Sequence, residues 1–183
     1  MIQKIKKIRF NIAPQSYGEM GHLEFFNKDV PLKVNISQKT LTLQSGQVVN
    51  IKATASSIFS SSYYPAIYAF NTTGGPSHDY ACWCTSSGSG ACWIEFEFEP
   101  AIPKSFANKL TFCCGQNHSS YPGTYTLLFI DENGTSEQIG QPLYVNGHNG
   151  VFEWTSVVRC FIGKDGKHYF LRLQNTSTPE ETV

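Results

Sequence analysis

Between Trp93 and Pro100 the chain reads WIEFEFEP, with apolar and charged side chains taking turns. Ile94, Phe96 and Phe98 fall on one side of an extended strand, and Trp93, Glu95, Glu97 and Glu99 on the other, because successive strand side chains point to opposite faces. The pattern predicts a strand with one face in a core and one in water. Pro100 has no N–H to donate and is expected to end the ladder. Leu32, Val34 and Ile36 alternate in the same way with Lys33, Asn35 and Ser37. LTLQSGQVVNIKA, 41–53, reads as two strands around a Ser-Gly turn, and TYTLLFID, 124–131, as a strand leading into Glu132-Asn133-Gly134, which has hairpin turn chemistry. A second hairpin is predicted where VVRCFIG, 157–163, and HYFLRL, 168–173, flank Lys164-Asp165-Gly166-Lys167.

No segment sustains a 3.6-residue period, so any helix should be one or two turns long. Many short strands punctuated by Gly and Pro predict an all-β chain, and the repeated alternation predicts two packed antiparallel sheets, a β-sandwich of jelly-roll type. At 183 residues the chain is read as one domain over 1–174, followed by a polar tail, NTSTPEETV, at 175–183.

Charge narrows the functional classes. Fourteen basic and 14 acidic residues give a formal net charge of zero, which argues against nucleic-acid binding, where a surplus of Lys and Arg is needed to displace counterions. The one basic cluster, Lys4, Lys6, Lys7 and Arg9, interleaves with Ile2, Ile5, Ile8 and Phe10 and reads as a solvated strand face. No apolar run approaches the roughly 20 residues that span a bilayer, so no membrane insertion is expected. MIQKIKKIRFNI lacks the continuous apolar stretch of a signal peptide, and synthesis in the cytosol is expected. Five Asn-x-Ser/Thr sites, at Asn35, Asn71, Asn117, Asn133 and Asn175, read as by-products of a Ser/Thr/Asn-rich β-surface.

The six cysteines are Cys82, Cys84, Cys92, the adjacent pair Cys113 and Cys114, and Cys160. Their spacing does not match the Cys-x-x-Cys pairs of zinc sites, and neighbours in a strand point apart. The favoured reading is that most are small apolar core residues; the alternative is a disulfide from Cys82 or Cys84 to Cys92, closing the Gly-Ser-Gly loop. Cys113 or Cys114 with His118 or His78 makes a formal Cys/His pair, but no third residue is indicated to orient it. Glu95, Glu97 and Glu99 read as a solvated face rather than as glycosidase carboxylates. No nucleophile elbow, P-loop, dinucleotide fingerprint or His-Glu-x-x-His motif occurs. The chain is therefore expected to be no enzyme.

Ala66-Ile67-Tyr68-Ala69-Phe70-Asn71, then Trp83, then Trp93-Ile94-Glu95-Phe96-Glu97-Phe98-Glu99-Pro100 and Ile102 resemble the centre of a discoidin-like (coagulation-factor type C, galactose-binding-like) sandwich. Leu110-Thr111-Phe112, Tyr125 to Phe129, and Phe152-Glu153-Trp154-Thr155 followed by Val157 to Phe161 are similar to its later strands. Residues 5–26 resemble a unit that closes the domain in many members; here it opens it, as in permuted forms associated with bacteriophage and other viral structural proteins.

The resemblance implies ligands held by loops at one end of the sandwich. Aromatic faces and a few polar groups suit sugar there, which makes Tyr63, Tyr64, His78, Asp79, His118 and Tyr121 the candidate ligand-binding residues. Trp83 and Trp93 read as core or loop-bracing residues. Asn71 stands where the family often has Asp, so calcium is admitted there only weakly, and no other cofactor is implied. The expected function is a non-enzymatic virion structural protein: a capsid decoration, head-fibre, tail or baseplate component. Its expected partners are other virion proteins, further copies of itself in a homo-oligomer, and cell-surface glycans. The alternative is a cellular or secreted carbohydrate-binding or adhesion module, which would be extracellular.

Overall fold

The computed structural model describes residues 2–72, 82–86, 90–114, 121–154, 157–162 and 168–173, with 148, 149 and everything after Trp154 described by backbone alone. The chain is all-β, with two antiparallel sheets packed as a sandwich. The larger sheet is built from β1 (Lys4–Pro14), β4 (Lys33–Asn35), β5 (Thr40–Thr42), β6 (Val48–Ala55), β8 (Cys92–Pro103), β10 (Gly123–Ile130) and β11 (Ser136–Val145). Its order is β11-β10-β1-β8-β6-β5-β4, so the opening strand lies near the centre. The smaller sheet contains β2 (Glu19–Asn27), β3 (Val30–Pro31), β9 (Lys109–Cys114) and β12 (Gly147–Glu153) in the order β12-β9-β2-β3, and the two-residue β7 (Trp83–Cys84) pairs with the start of β2. Two 3-10 turns, Ala66–Phe70 and Lys104–Phe106, are the helical elements among the described residues.

Alternation explains what the sheets bury. Ile94, Phe96 and Phe98 of β8 are fully buried, as are Ile8 and Phe10 of β1 and Tyr125, Leu127 and Phe129 of β10. Aromatic pairs join the layers: Phe10 meets Phe112 of β9 with ring centroids 5.5 Å apart, and Phe112 meets Tyr125 at 4.9 Å. Phe70, from the first 3-10 turn, packs on Phe96 at 4.6 Å and on Phe25 of β2 at 5.8 Å. Edge-to-face and tilted pairs of this kind add to the free energy of burying the rings.

The predicted hairpins form. Asp131 caps the turn between β10 and β11 by accepting the amides of Asn133 and Thr135 on Oδ1, and Gly134 takes φ +82°, a conformation open to glycine. Strands β13 (Val157–Ile162) and β14 (His168–Leu173) pair with each other along their whole length, forming a ribbon outside the order of either sheet. Their Asp-Gly turn, at 165–166, lies outside the described residues.

Two expectations about β8 are corrected. Pro100 ends the ladder on the β6 side only, and the strand itself runs on to Pro103. Pairing with β6 stops at Asn50 opposite Glu99. Pairing with β1 is interrupted by a bulge beside Lys6 and resumes at Ile5 opposite Ile102. Pro100 therefore sits in the gap, where its missing N–H removes no ladder bond.

The wet face is also not uniformly wet. Glu95 is only 6% exposed, because register places Arg9 directly opposite it. Arg9 Nε donates to Glu95 Oε2 at 2.8 Å and Lys7 Nζ to Oε1 at 3.0 Å, while the guanidinium lies 4.5 Å from the Trp93 ring. Lys6 pairs with Glu99 and Glu97. The basic cluster is the counter-strand of the acidic one. Glu95→Gln is expected to cost about 1–3 kcal/mol in urea unfolding, since Lys7 and Arg9 can partly rehydrate. An unchanged midpoint would show that the network is not coupled to folding.

Candidate functional site

Several connections gather at one end of the sandwich. At this end Pro14 lies opposite Gly123, Gly123 opposite Val145, Gly147 opposite Cys114 and Glu19 opposite Cys84. Ser56, just past β6, donates its amide to the Trp93 carbonyl at the start of β8. The connections 15–18, 56–65, 121–122 and 146 therefore share this end.

Aromatic side chains are concentrated here. Phe59, Tyr63 and Tyr144 are half or more exposed, at 57%, 53% and 50%. Tyr64 stands edge-on to Phe59 at 5.6 Å, and Tyr121 edge-on to Tyr17 at 5.5 Å. Gln15 Nε2 donates to the Tyr144 hydroxyl at 3.4 Å. The Phe59 amide donates to the Cys84 carbonyl at 2.8 Å and Trp83 Nε1 to the Ser57 carbonyl at 3.0 Å, which ties the aromatic loop to β7. No Asp, Glu, Lys or Arg occurs in 15–18, 56–65, 121–122 or 144–147. The surface they form is uncharged, rich in Tyr and Ser, and suited to stacking and hydrogen bonding.

Of the residues expected to bind ligand, Tyr63, Tyr64 and Tyr121 come to this end, Tyr63 exposed and the other two half-buried. His78, Asp79 and His118 lie outside the described residues. Tyr17, Phe59, Tyr144 and Gln15 were not among the sequence candidates. Phe59 and Tyr63 flank one Ser run, SSS at 60–62, and that was the available clue; Tyr17 and Tyr144 join only through strand register.

Behind this surface lies a second cluster. Met20 and Trp83, which face each other, point into the core. Alternation therefore turns Glu19, Cys82 and Cys84 to the outer side of the small sheet, and Cys113, between the core residues Phe112 and Cys114, turns the same way. Glu19 is 6% exposed. Its Oε1 accepts the Cys82 S–H at 2.7 Å, while its Oε2 has no hydrogen-bond partner among the described residues. Burial raises the Glu19 carboxyl to about 7, against which the Cys82 hydrogen bond works only in part. Tyr125 donates its hydroxyl to the Glu19 carbonyl at 2.6 Å.

The five cysteines whose side chains are described are free thiols. The bridge from Cys82 or Cys84 to Cys92 is not formed: Cys82 is engaged with Glu19, and Cys92 belongs to the core cluster, its sulfur set against Gly18. Burial pushes Cys84 and Cys113 up to about 12 and Cys92 up to about 11, and raises Cys82 and Cys114 as well. Such thiols carry almost no thiolate at neutral pH, and the thiolate is the nucleophile and the metal ligand. The calcium candidate, Asn71, closes the first 3-10 turn; its amide donates to the Tyr68 carbonyl and its carbonyl accepts the His22 amide. Among the described residues no three His, Cys, Asp or Glu side chains are grouped to hold a metal ion. No helix among them is long and apolar enough to cross a membrane.

No protein-family model, no curated protein and no solved structure matches this chain.

Proposed function

We propose that the chain is a non-enzymatic structural protein of a virion that uses the uncharged aromatic end of its sandwich to contact carbohydrate on the host surface. The observation that carries the contact is the exposure of Phe59, Tyr63 and Tyr144 on one end: among the described residues the other exposed large apolar side chains are the valines Val30, Val48 and Val151, and no other aromatic is among them. Exposed aromatics gathered on loops and a strand end, flanked by hydroxyl and amide groups, suit a sugar ring: stacking for its C–H face and hydrogen bonds for its hydroxyls.

Three further points support the reading. The residue pattern from Ala66 to Ile102 is similar to that of discoidin-like modules, and the N-terminal unit opens the domain as in permuted viral forms. Five free thiols, four of them buried, suit a chain that folds in a reducing cytosol, where virion proteins are made, better than one that folds during secretion. Among the described residues, cysteines held as thiols beside a buried carboxylic acid offer no activated thiol nucleophile. In the virion the chain would assemble with other particle proteins or with its own copies.

A glycan array read beside light scattering on the purified chain tests this. Tyr63→Ala is expected to weaken glycan binding about tenfold, equivalent to roughly 1.4 kcal/mol. Its unfolding midpoint should stay put, because exposed substitutions usually move stability by no more than about 0.5 kcal/mol. A silent array with a defined oligomer would replace the glycan by a protein neighbour as the occupant of the loop end. A silent array with a monomer that does not join particles would sink the proposal.

A further inference from the structure

We propose that Glu19 is a protonation latch: the loop end is held firmly while this carboxyl is uncharged and loosens when it ionises. The inference is about how the proposed contact surface is regulated, but it does not depend on which ligand occupies that surface.

The geometry sets it up. Glu19 begins β2, the strand from which β7 and β9 are both hung. The Glu19 side chain reaches β7 through Cys82, and its carbonyl reaches β10 through Tyr125. One residue before it, Gly18 exchanges two bonds with Thr85, just past β7: the Gly18 amide donates to Thr85 Oγ1 at 3.0 Å and the Thr85 amide to the Gly18 carbonyl at 2.9 Å. β7 in turn holds the Phe59 loop through Cys84. A charge appearing at Glu19 therefore arises behind the aromatic surface, at the joint that carries it.

The groups around that charge offer little compensation. Among the described residues, the titratable groups that act on Glu19 are Cys82, just before β7, Cys84 from β7, Cys113 and Cys114 from β9, and Tyr125 from β10. All are neutral below pH 8 and are held there by burial. Among the described residues only the Cys82 hydrogen bond favours the carboxylate. A buried carboxylate with one weak donor and one unpartnered oxygen costs far more than the same group in water. Loss of the proton shifts the balance toward the open state, in which water reaches Glu19.

The sign follows from linkage. The closed-state carboxyl sits at about 7 and the exposed one at 4.5. The closed form thus holds the proton between these values and the open form does not. Closure is strongest below the lower value, weakens as pH rises toward the upper one, and is level beyond it.

Hydrogen exchange at the Gly18 and Thr85 amides, corrected for intrinsic exchange, reads the latch directly. Opening should rise with pH between about 5 and 7, by at most roughly tenfold per unit, and then level off. Glu19→Gln should abolish the rise whatever its overall stability. The Glu19→Gln arm is decisive, because it removes this carboxyl alone. A rise that survives in Glu19→Gln, or none in the native chain, overturns the proposal. The carboxyl carbon shift of Glu19 in the native chain is an independent check: a midpoint near 7 supports the latch, and one near that of an ordinary glutamate overturns it. Neither readout involves a glycan, so failure of the carbohydrate reading leaves the test intact.

Discussion

Trp83→Ala is expected to cost the fold about 3–5 kcal/mol, the range for deleting a fully buried large aromatic. Trp83 is wholly shielded from solvent and sits in a strand of two residues. Its loss leaves a cavity behind Met20 and strands the Ser57 carbonyl, which accepts the indole N–H. The damage should spread toward the aromatic surface, because Ser57 and Phe59 are both fastened to β7. Urea unfolding followed by far-ultraviolet circular dichroism measures the cost. Trp83→Phe separates the two contributions: it keeps most of the ring and should lose only about 1–2 kcal/mol, the order of one buried hydrogen bond left unmade. A loss below about 1 kcal/mol for the alanine variant would mean that β7 is not part of the cooperative unit, and would also weaken the latch argument built on it.

Gly150→Ala should be the second most damaging single change, at about 1–3 kcal/mol. Gly150 lies directly opposite Phe112 in the ladder of β12 and β9, and the Phe112 ring lies over it. A Cβ there would stand 2.7 Å from two ring atoms and 2.8 Å from a third. The ring has no room to retreat, since Phe10, Tyr125 and Phe152 surround it. For a domain of this size each kcal/mol lowers the melting temperature by about 2–4 °C. Val151→Ala, one position along the same strand but 44% exposed, is the control and should change little. If both variants melt together with the native chain, Phe112 is not packed as described.

Both predictions turn on long-range neighbours, and that marks where sequence reading reached its limit. The strands themselves were legible. Ile94, Phe96 and Phe98 announce a buried face because period-2 alternation is a local property of an extended chain. Asn133-Gly134 announces a turn because few residues other than glycine tolerate positive φ. The shortness of any helix was legible for the same reason, and the two 3-10 turns agree.

Other features were invisible by construction. Glu95, Glu97 and Glu99 look identical in the chain, yet only Glu95 is buried, because a partner strand more than eighty residues away in sequence brings Arg9 and Lys7 to it. Pro100 looked like a stop because a proline breaks a ladder wherever an N–H is required; it is passed because a bulge places it where none is required. Nothing local in EMGHLEFF marks Glu19 as a buried acid and Glu24 as a half-exposed one; the packing of β7 and the thiols against Glu19 decides it. Tyr63, Tyr64 and Tyr121 could be picked from the sequence as loop aromatics, but their joining with Tyr17, Phe59 and Tyr144 could not, since the three-dimensional end of a sandwich collects residues that no spacing rule connects.

By itself, then, the sequence determined the class of fold, the faces of its main strands and the lack of surplus charge, all of which follow from local periodicity and composition. The tertiary structure alone decided which carboxylates are paired, which one is buried, and which loops share a surface, because those depend on strand register and on pairings between residues far apart in the chain.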